Sequence, residues 1–340
     1  MFADTSCGRY SPLYDRISRA VVDDRDLLGV LARAPRDGQQ AVLALAAVHF
    51  LLLGGLQHPL ADVYAGHTDA DPAPLFRHLV LTNADAVVDL LTTRRTQTNE
   101  VGRSAALAPA LTVVAGRFGT PLALVDAGSS AGLNLRCDRY RLDYGEHGAT
   151  GPPGAPVRIA CHVVAGTPPV APALPTIAGR VGIDRAPVDR ADADAARGLL
   201  ACTWPDTGRL ARTEQAIADA RTDRPEIVAG DLFEELPRVL DRLPAHATAC
   251  VITTWVLAYS RRDGRQAFVD LLRDAGTRRP VAWISAEDPA VLPQFDATEL
   301  PDHDGTRPSL LGLTVCDGDR FDATILGYVH PHGLWMDWRL

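Results

Sequence analysis

Apolar positions recur at helical spacing through the first third of the chain. Asp23-Asp24 open a run through Leu27, Leu28, Val30 and Leu31 that Pro35 stops. Gln39 to Leu53 is apolar on nearly every side, which predicts a buried helix ended by Gly54-Gly55. Phe76 to Leu91 predicts a third helix, with Leu79, Val80, Ala84, Val87 and Leu90 on its inner face. Thr98-Asn99 cap a fourth, running through Val101, Ala105, Leu107, Leu111 and Val114 to Gly116. No strand pattern precedes residue 121.

From Pro121 short apolar runs alternate with helical segments, the pattern of a parallel sheet flanked by helices. Strands are predicted at Leu122 to Asp126, Arg180 to Asp184, Glu226 to Asp231, Thr248 to Thr254 and Pro280 to Ser285. Helices are predicted at 191–202, 209–221 and 262–275, and Leu133 and Leu135 open another. Leu313 to Cys316, the turn Asp317-Gly-Asp319 and Ala323 to Val329 predict a closing antiparallel hairpin. Residues 138–178 read as an insertion, with a Gly-Pro-Pro-Gly turn, a strand at Val157 to Val164 and a loop from Pro168 to Pro175. The expected fold class is α/β: a mostly parallel sheet over residues 119–340 behind an α-helical module of residues 1–118.

Composition narrows the chemistry. The 340 residues include no lysine, which excludes a Schiff-base, pyridoxal-phosphate or P-loop lysine. A net charge of −8 gives no basic footprint for nucleic acid or an anionic membrane. The six cysteines are scattered without a C-x-x-C pair, so neither a disulfide framework nor a zinc knuckle is expected. Ala41 to Leu53 is too short to span a bilayer, and the first residues lack a signal-peptide pattern, so a cytoplasmic protein is expected.

The sequence Asp126-Ala-Gly-Ser-Ser-Ala-Gly132 fits two incompatible motifs. As Gly-x-Ser-x-Gly it is a hydrolase nucleophile elbow with Ser130 as nucleophile, and Asp288 with His330 or His332 follow in the required order. As Asp-x-Gly-x-Ser-x-Gly it is similar to the first motif of class I methyltransferases, where Gly128, Ser129, Ser130 and Gly132 let the backbone approach S-adenosylmethionine. Topology favours the second, because the loop follows the first strand of its domain whereas an elbow follows several. A nicotinamide-binding fold shares the strand–loop–helix logic, but Ser130 stands where its middle glycine belongs. A plain strand-to-helix turn is the bland alternative.

Two later acids support the cofactor reading. Asp184 ends the second predicted strand, where a carboxylate can accept both ribose hydroxyls, and Asp231 follows the third, near the place of an adenine amino group. Either could instead be a surface acid or helix cap. A substrate would sit over the carboxyl ends of the strands. Candidates there are Glu287 as general base, Tyr259 as hydrogen-bond donor, and Trp255 as a stacking or cation-facing ring. Glu100 can contact substrate and Arg103 can hold a carboxylate of cofactor or substrate, unless the two simply pair along a helix. His330 and His332 share a strand face by period two; a substrate-binding or acid/base role outranks a metal pair, since no third ligand is near in sequence. Thr253-Thr254-Trp255 replaces the Asp/Asn-Pro-Pro-Tyr of nucleic-acid amino methylation.

The chain also resembles the domain-of-unknown-function family numbered 2332. The resemblance rests on Gln97-Thr-Asn-Glu-Val-Gly-Arg103, Ala127-Gly-Ser-Ser-Ala-Gly-Leu-Asn-Leu135, Asp138-Arg-Tyr140, Gly182-Ile-Asp-Arg-Ala-Pro-Val-Asp189, Trp204-Pro-Asp206 and His330-Pro-His-Gly333. It runs nearly end to end and implies no activity by itself. With the methyltransferase-like motif, the expected function is methyl transfer to a small-molecule oxygen or nitrogen. A non-catalytic binding relative and a Ser130 hydrolase are the alternatives.

Overall fold

A computed structural model describes residues 10–36, 40–119, 121–297 and 299–340. The chain forms two compact units: residues up to Thr98 with Val188–Glu214, and Asn99–Pro187 with Gln215–Leu340.

The first unit is helical. Helix α1 (Pro12–Val22) starts where Ser11 accepts from Tyr14 N, and α2 (Arg25–Leu31) where Asp24 accepts from the amides of Asp26 and Leu27. Helix α3 (Ala41–Leu53) is buried from Leu43 to Phe50 and matches the run that is apolar on all sides. After the short α4 (Leu60–Tyr64), the single helix expected from Phe76 to Leu91 is two, α5 (Pro72–Thr82) and α6 (Ala84–Thr93). Asn83 breaks it: its backbone is non-helical and its Nδ2 donates to Leu79 O at 2.9 Å, closing α5. Helix α7 (Ser104–Phe118) belongs to the second unit, and α8 (Ala193–Ala201) returns to the first. Ala201 packs among Leu43, Ala44, Ala47 and Phe50 of α3. The Phe50 ring lies between the guanidinium groups of Arg94 and Arg197, at 3.9 and 4.0 Å, and Asp194 pairs with both.

The second unit holds the sheet, and α9 (Leu210–Ala220) leads into it. Its strands are β1 (Leu122–Ala127), β2 (Arg141–Asp143), β3 (Ala149–Thr150), β4 (Arg158–Ala160), β5 (His162–Ala165) and β6 (Ile177–Asp184). They continue with β7 (Glu226–Ala229), β8 (Thr248–Thr254), β9 (Val281–Glu287), β10 (Ser309–Asp317), β11 (Arg320–Val329) and β12 (Trp335–Trp338). Nine strands make one sheet in the order β5-β12-β11-β10-β9-β8-β1-β6-β7. From β7 to β9 every neighbour is parallel; β10, β11 and β12 add antiparallel pairs, and β5 joins β12 in parallel. Helices α10 (Leu232–Arg242) and α11 (Arg262–Gly276) cover one face, where Leu236, Val239, Phe268 and Leu272 pack on Val125, Val251 and Trp283.

Two expectations change here. The strand expected from Val157 to Val164 divides at Cys161, so that β4 joins the small sheet β3-β2-β4 while β5 crosses to the edge of the large one. Backbone partners cause the split: Cys161 N donates to Asp143 O and His162 N to Leu334 O, both at 2.9 Å. The cap expected at Thr98-Asn99 passes to Glu100, which accepts from Gly102 N and starts a 3-10 turn (Val101–Arg103) ahead of α7. Among the described cysteines, Cys137, Cys161, Cys202, Cys250 and Cys316 are buried and unbridged. No helix of the described residues is long and apolar enough to cross a membrane.

Candidate functional site

Strand order fixes where a ligand can enter. The chain steps from β1 to β6 and β7 on one side, then returns to β8 and β9 on the other, so the loops after β1 and β8 diverge and leave a crevice at the strands' carboxyl ends.

The glycine loop lies in that crevice. Gly128, Ser130 and Gly132 have φ of +74°, +51° and +70°, so the chain turns through left-handed backbone three times in five residues. A Cβ on Gly128 would stand 2.5 Å from Val256 Cγ2, and one on Gly182 would stand 2.3 Å from Ser129 Oγ. The amides of Gly128 and Ser129 donate to Ile183 O (2.8 and 3.1 Å), Ser130 N to Asp184 Oδ2 (2.7 Å) and Gly132 N to Ser129 O (2.7 Å). The α-helix expected after the loop is instead a 3-10 segment, Asn134–Arg139, with Arg136 out of helical geometry. Side chains account for this. Leu133 N is taken by Asn99 Oδ1 at 2.8 Å, Tyr140 Oη donates to Leu133 O at 2.7 Å, and the buried Arg136 turns to Asp219 at 2.6 Å. The loop therefore spends the amides of Gly128, Ser129 and Ser130 on β6 and offers no α-helix N-terminus.

The two supporting acids sit on the same rim. Asp184 Oδ1 accepts from Ala186 N at 2.9 Å while Oδ2 holds the glycine loop. Asp231 caps α10 by accepting from Phe233 N, and Arg185 pairs with its other oxygen at 2.6 Å; together these hold its carboxyl below the usual range. A cavity of about 500 Å³ opens between them, lined by Gly128, Asp184, Gly230, Phe233, Val256 and Tyr259 among others.

A buried polar cluster underlies the crevice. Asp126, the last residue but one of β1, has its Oδ2 unpartnered, and the hydroxyls of Ser129 and Ser130 are buried without hydrogen-bond partners. Burial pushes the Asp126 carboxyl up to about 7, against the pull of Arg103 and with a push from Asp184. Glu287, expected after the fifth strand, is the last residue of β9 and has no exposed surface. Its Oε1 accepts from the amides of Val256 and Leu257 at 3.0 and 3.2 Å, and its Oε2 is unpartnered. Burial lifts it to about 7 although those amides and Arg103 favour the carboxylate. The turn that Glu287 holds begins at Trp255, a non-glycine residue at φ +59° whose indole donates to Ser309 Oγ at 2.7 Å. Trp255 is thus tied into β10, while Tyr259 is 85% exposed at the cavity's rim.

Residues far apart in sequence meet beside this cluster. Arg103 donates to Thr254 O at the end of β8 (3.0 Å) and to Pro331 O in the turn after β11 (3.1 Å). Glu100 Oε2 lies 3.4 Å from His332 Nδ1, and His332 N donates to His330 Nδ1 at 3.0 Å. A Cβ on Gly333 would stand 2.0 Å from Gly102 O, so the two turns interlock with no room for a methyl group. His330 and His332 both lie in this turn and not on a strand, so their expected shared strand face does not exist: β11 ends at Val329 and Pro331 bends the chain. The hydrolase triad is not assembled, since Asp288 is held by Arg307 through two hydrogen bonds (2.7 and 3.0 Å) and Ser130 Oγ has no partner. Sequence reasoning missed Val256 and Gly333, and read Asn99 only as a helix cap and not as the acceptor for Leu133 N. Asn99 and Gly333 stand inside the words quoted above, but nothing in the sequence shows what they touch.

Over residues 1–338 the chain matches the model of a family described as uncharacterized proteins conserved in bacteria, DUF2332. The protein belongs to the DUF2332 family. Two of the sequence words that suggested DUF2332, Gln97 to Arg103 and His330 to Gly333, are therefore one structural feature joined through Glu100, Gly102 and Arg103. No curated protein matches this DUF2332 chain. One similar solved structure is the sugar N-methyltransferase KedS8 from Streptoalloteichus sp ATCC 53650, at 11% identity and a TM-score of 0.25, over 66% of this chain and 71% of that one.

Proposed function

We propose that this DUF2332 protein is an S-adenosylmethionine-dependent methyltransferase acting on an oxygen or nitrogen of a small molecule, with a Rossmann-like sheet carrying the site. The observation that carries the reading is the cavity at the point where strand order reverses, floored by a glycine loop too close to Val256 for a side chain. Its volume, about 500 Å³, falls within the roughly 300–1,000 Å³ of small-molecule sites.

The residues present suit that cofactor. Asp184 keeps a second lone pair on each oxygen after serving the loop, and so can accept from two ribose hydroxyls. Phe233 and Val256 give apolar walls for a flat heteroaromatic ring, and Gly230 also lines the cavity. Asp231 fixes Arg185 at the mouth. Asp126 Oδ2 and the hydroxyls of Ser129 and Ser130 are buried polar atoms without partners beside the loop. Bound there, the cofactor supplies an electrophilic methyl group. The chain supplies orientation and exclusion of water, which account for most of the acceleration in such transfers. Thr253-Thr254-Trp255 and the net charge of −8 favour a small acceptor over nucleic acid.

A binding protein on the same scaffold is the second reading, favoured by the glycine loop spending the amides of Gly128, Ser129 and Ser130 on β6. Titration calorimetry separates the two. Wild type is expected to bind S-adenosylmethionine with micromolar Kd, and Asp184→Ala to weaken it at least 100-fold, the loss of two hydrogen bonds to a charged group at about 1.5–3 kcal/mol each. Asp184→Asn, which keeps an acceptor for Ser130 N, will lose less. Absence of heat with wild type defeats the methyltransferase reading; binding without transfer to any metabolite tried favours the binding protein.

A further inference from the structure

We infer that the methyl acceptor is an anionic small molecule, a carboxylate or phosphate with an apolar body, held in a second cavity by Arg261, Arg262 and Arg265. This rests on the methyltransferase reading above and specifies its substrate class.

The second cavity adjoins the first. It measures about 880 Å³ and is lined by the start of α11 and by the 3-10 turn Pro289–Val291. Those segments follow β8 and β9, which pair in parallel, so the cavity opens at the same carboxyl ends as the crevice. Arg261 and Asp263 line both cavities. Their side chains are 92% and 81% exposed, so the partition between the two spaces is movable.

Charge selects the ligand. Arg261-Arg262-Asp263-Gly264-Arg265 brings three cations and one acid to a single cavity, on a chain whose net charge is −8. Asp263 lies 3.8 Å from Arg261 Nε and accepts from Gly264 N at 3.1 Å. Asp288, just before the 3-10 turn, is matched by Arg307. The three arginines are therefore in excess. Arg265 is braced where it lines the cavity, because its Nε donates to Leu257 O at 3.1 Å in the turn that Glu287 holds. Helix stability does not call for these residues. The first turn of a helix favours acids, and Arg261 stands at the N-cap of α11 without giving a side-chain cap. Cations kept at that cost mark a functional choice.

Ala290, Val291 and Pro293 add an apolar side. Guanidinium groups match the oxygens of carboxylates and phosphates, and an apolar side suits a hydrocarbon or aromatic body. The anionic group is the handle and not the methyl acceptor, because hydrogen bonds from guanidinium occupy the lone pairs that an attack needs. In the transfer an oxygen or nitrogen elsewhere on the molecule gives its lone pair to the methyl carbon. The carbon–sulfur pair stays with sulfur, and the acceptor's proton passes to water.

Proton–nitrogen NMR of the intact protein tests the cavity without turnover, with benzoate and phenyl phosphate as probes and benzylamine and benzyl alcohol as controls. The anions are expected to shift the Ala290 and Val291 amides saturably with millimolar Kd, and the controls to leave them in place. The tighter of the two anions identifies the natural head group. Arg262→Gln should weaken both about tenfold, and Arg262→Glu should abolish their binding, with S-adenosylmethionine affinity unchanged. Arg262 is exposed, so neither variant threatens the fold. With labelled S-adenosylmethionine and a metabolite pool divided by ion exchange, label is expected in the anionic fraction. Controls that bind as well as benzoate, displacement of S-adenosylmethionine by benzoate, or label confined to neutral and cationic fractions overturns the proposal and leaves the methyltransferase reading standing. Anion binding by a wild type that ignores S-adenosylmethionine defeats that reading, and with it the acceptor role of the second cavity.

Discussion

Raising the pH from 5 to 8 will cost the sheet-bearing unit about 3 kcal/mol for each of two buried carboxyls, Glu287 and Asp126, and Glu287→Gln will remove one of those losses. Glu287 titrates at about 7 in the fold against 4.5 for an ordinary glutamate, and Asp126 at about 7 against 3.8. Above pH 5 the unfolded chain has already released both protons while the fold retains them, so the unfolded state gains with each pH unit until about 7. The contribution to stability is thus greatest in acid and is lost as pH rises, opposite to the usual paired carboxylate. His49 works the other way: burial holds it down to about 4, so its part of the helical unit gains stability as pH rises towards 6.5. The two effects are distinguished by where they are read. Tryptophan fluorescence suits the sheet, since Trp255, Trp283, Trp335 and Trp338 all lie in its unit. Urea unfolding of wild type, Glu287→Gln and Asp126→Asn at pH 5, 6.5 and 8 should show the two variants with flatter pH dependence. Identical slopes in all three would falsify the assignment. Glu287→Ala should be weaker than Glu287→Gln at every pH, because the amides of Val256 and Leu257 then lose their acceptor.

Gly128→Ala should unfold or disable the crevice at a cost of about 3 kcal/mol, the sum of left-handed strain of about 1–2 kcal/mol and overpacking of about 1–3 kcal/mol. The new methyl carbon would lie 2.5 Å from Val256 Cγ2 and 2.9 Å from its Cβ, on a turn that Glu287 holds from behind. Ligand affinity is expected to fall more than 100-fold in calorimetry, together with the melting temperature. Adding Val256→Ala should restore part of both, because it removes Cγ2, while the φ penalty at +74° remains. A double variant no better than the single one would show that strain, and not contact with Val256, dominates.

The sheet was largely legible in the sequence because its signal is local. Leu122–Ala127, Thr248–Thr254 and Val281–Glu287 are mostly apolar and buried at every position, as parallel strands covered on both faces are, and their order along the chain gives the crevice. Strand β12 was not legible: four residues close behind Pro331 and Gly333 carry too little pattern to distinguish strand from turn. The 3-10 segment after the glycine loop was misread for a physical reason. Leu133 and Leu135 have helical spacing, but Asn99, Tyr140 and Arg136 draw the backbone groups and side chains of that stretch elsewhere. At the site, Asp184 and the glycine loop could be paired from topology alone. Glu100 with His332 and Arg103 with Pro331 could not, because these partners stand more than 200 residues apart and no periodicity links them.

The return of α8 to the helical unit bears on how this chain is made. On a ribosome the segment Ala41–Leu53 emerges early, but the residues that cover part of it, around Ala201, follow only after β1 to β6 have been synthesised. An apolar helix must therefore wait, incompletely covered, through roughly 150 residues of translation at about 5–20 residues per second, close to ten seconds or more. During that interval the nascent chain presents Leu43, Ala47 and Phe50 to whatever binds exposed helices, and chaperone engagement should be concentrated there. A fragment ending near residue 118 would hold that state permanently, so expression of the helical unit alone calls for grafting Val188–Glu214 back onto it.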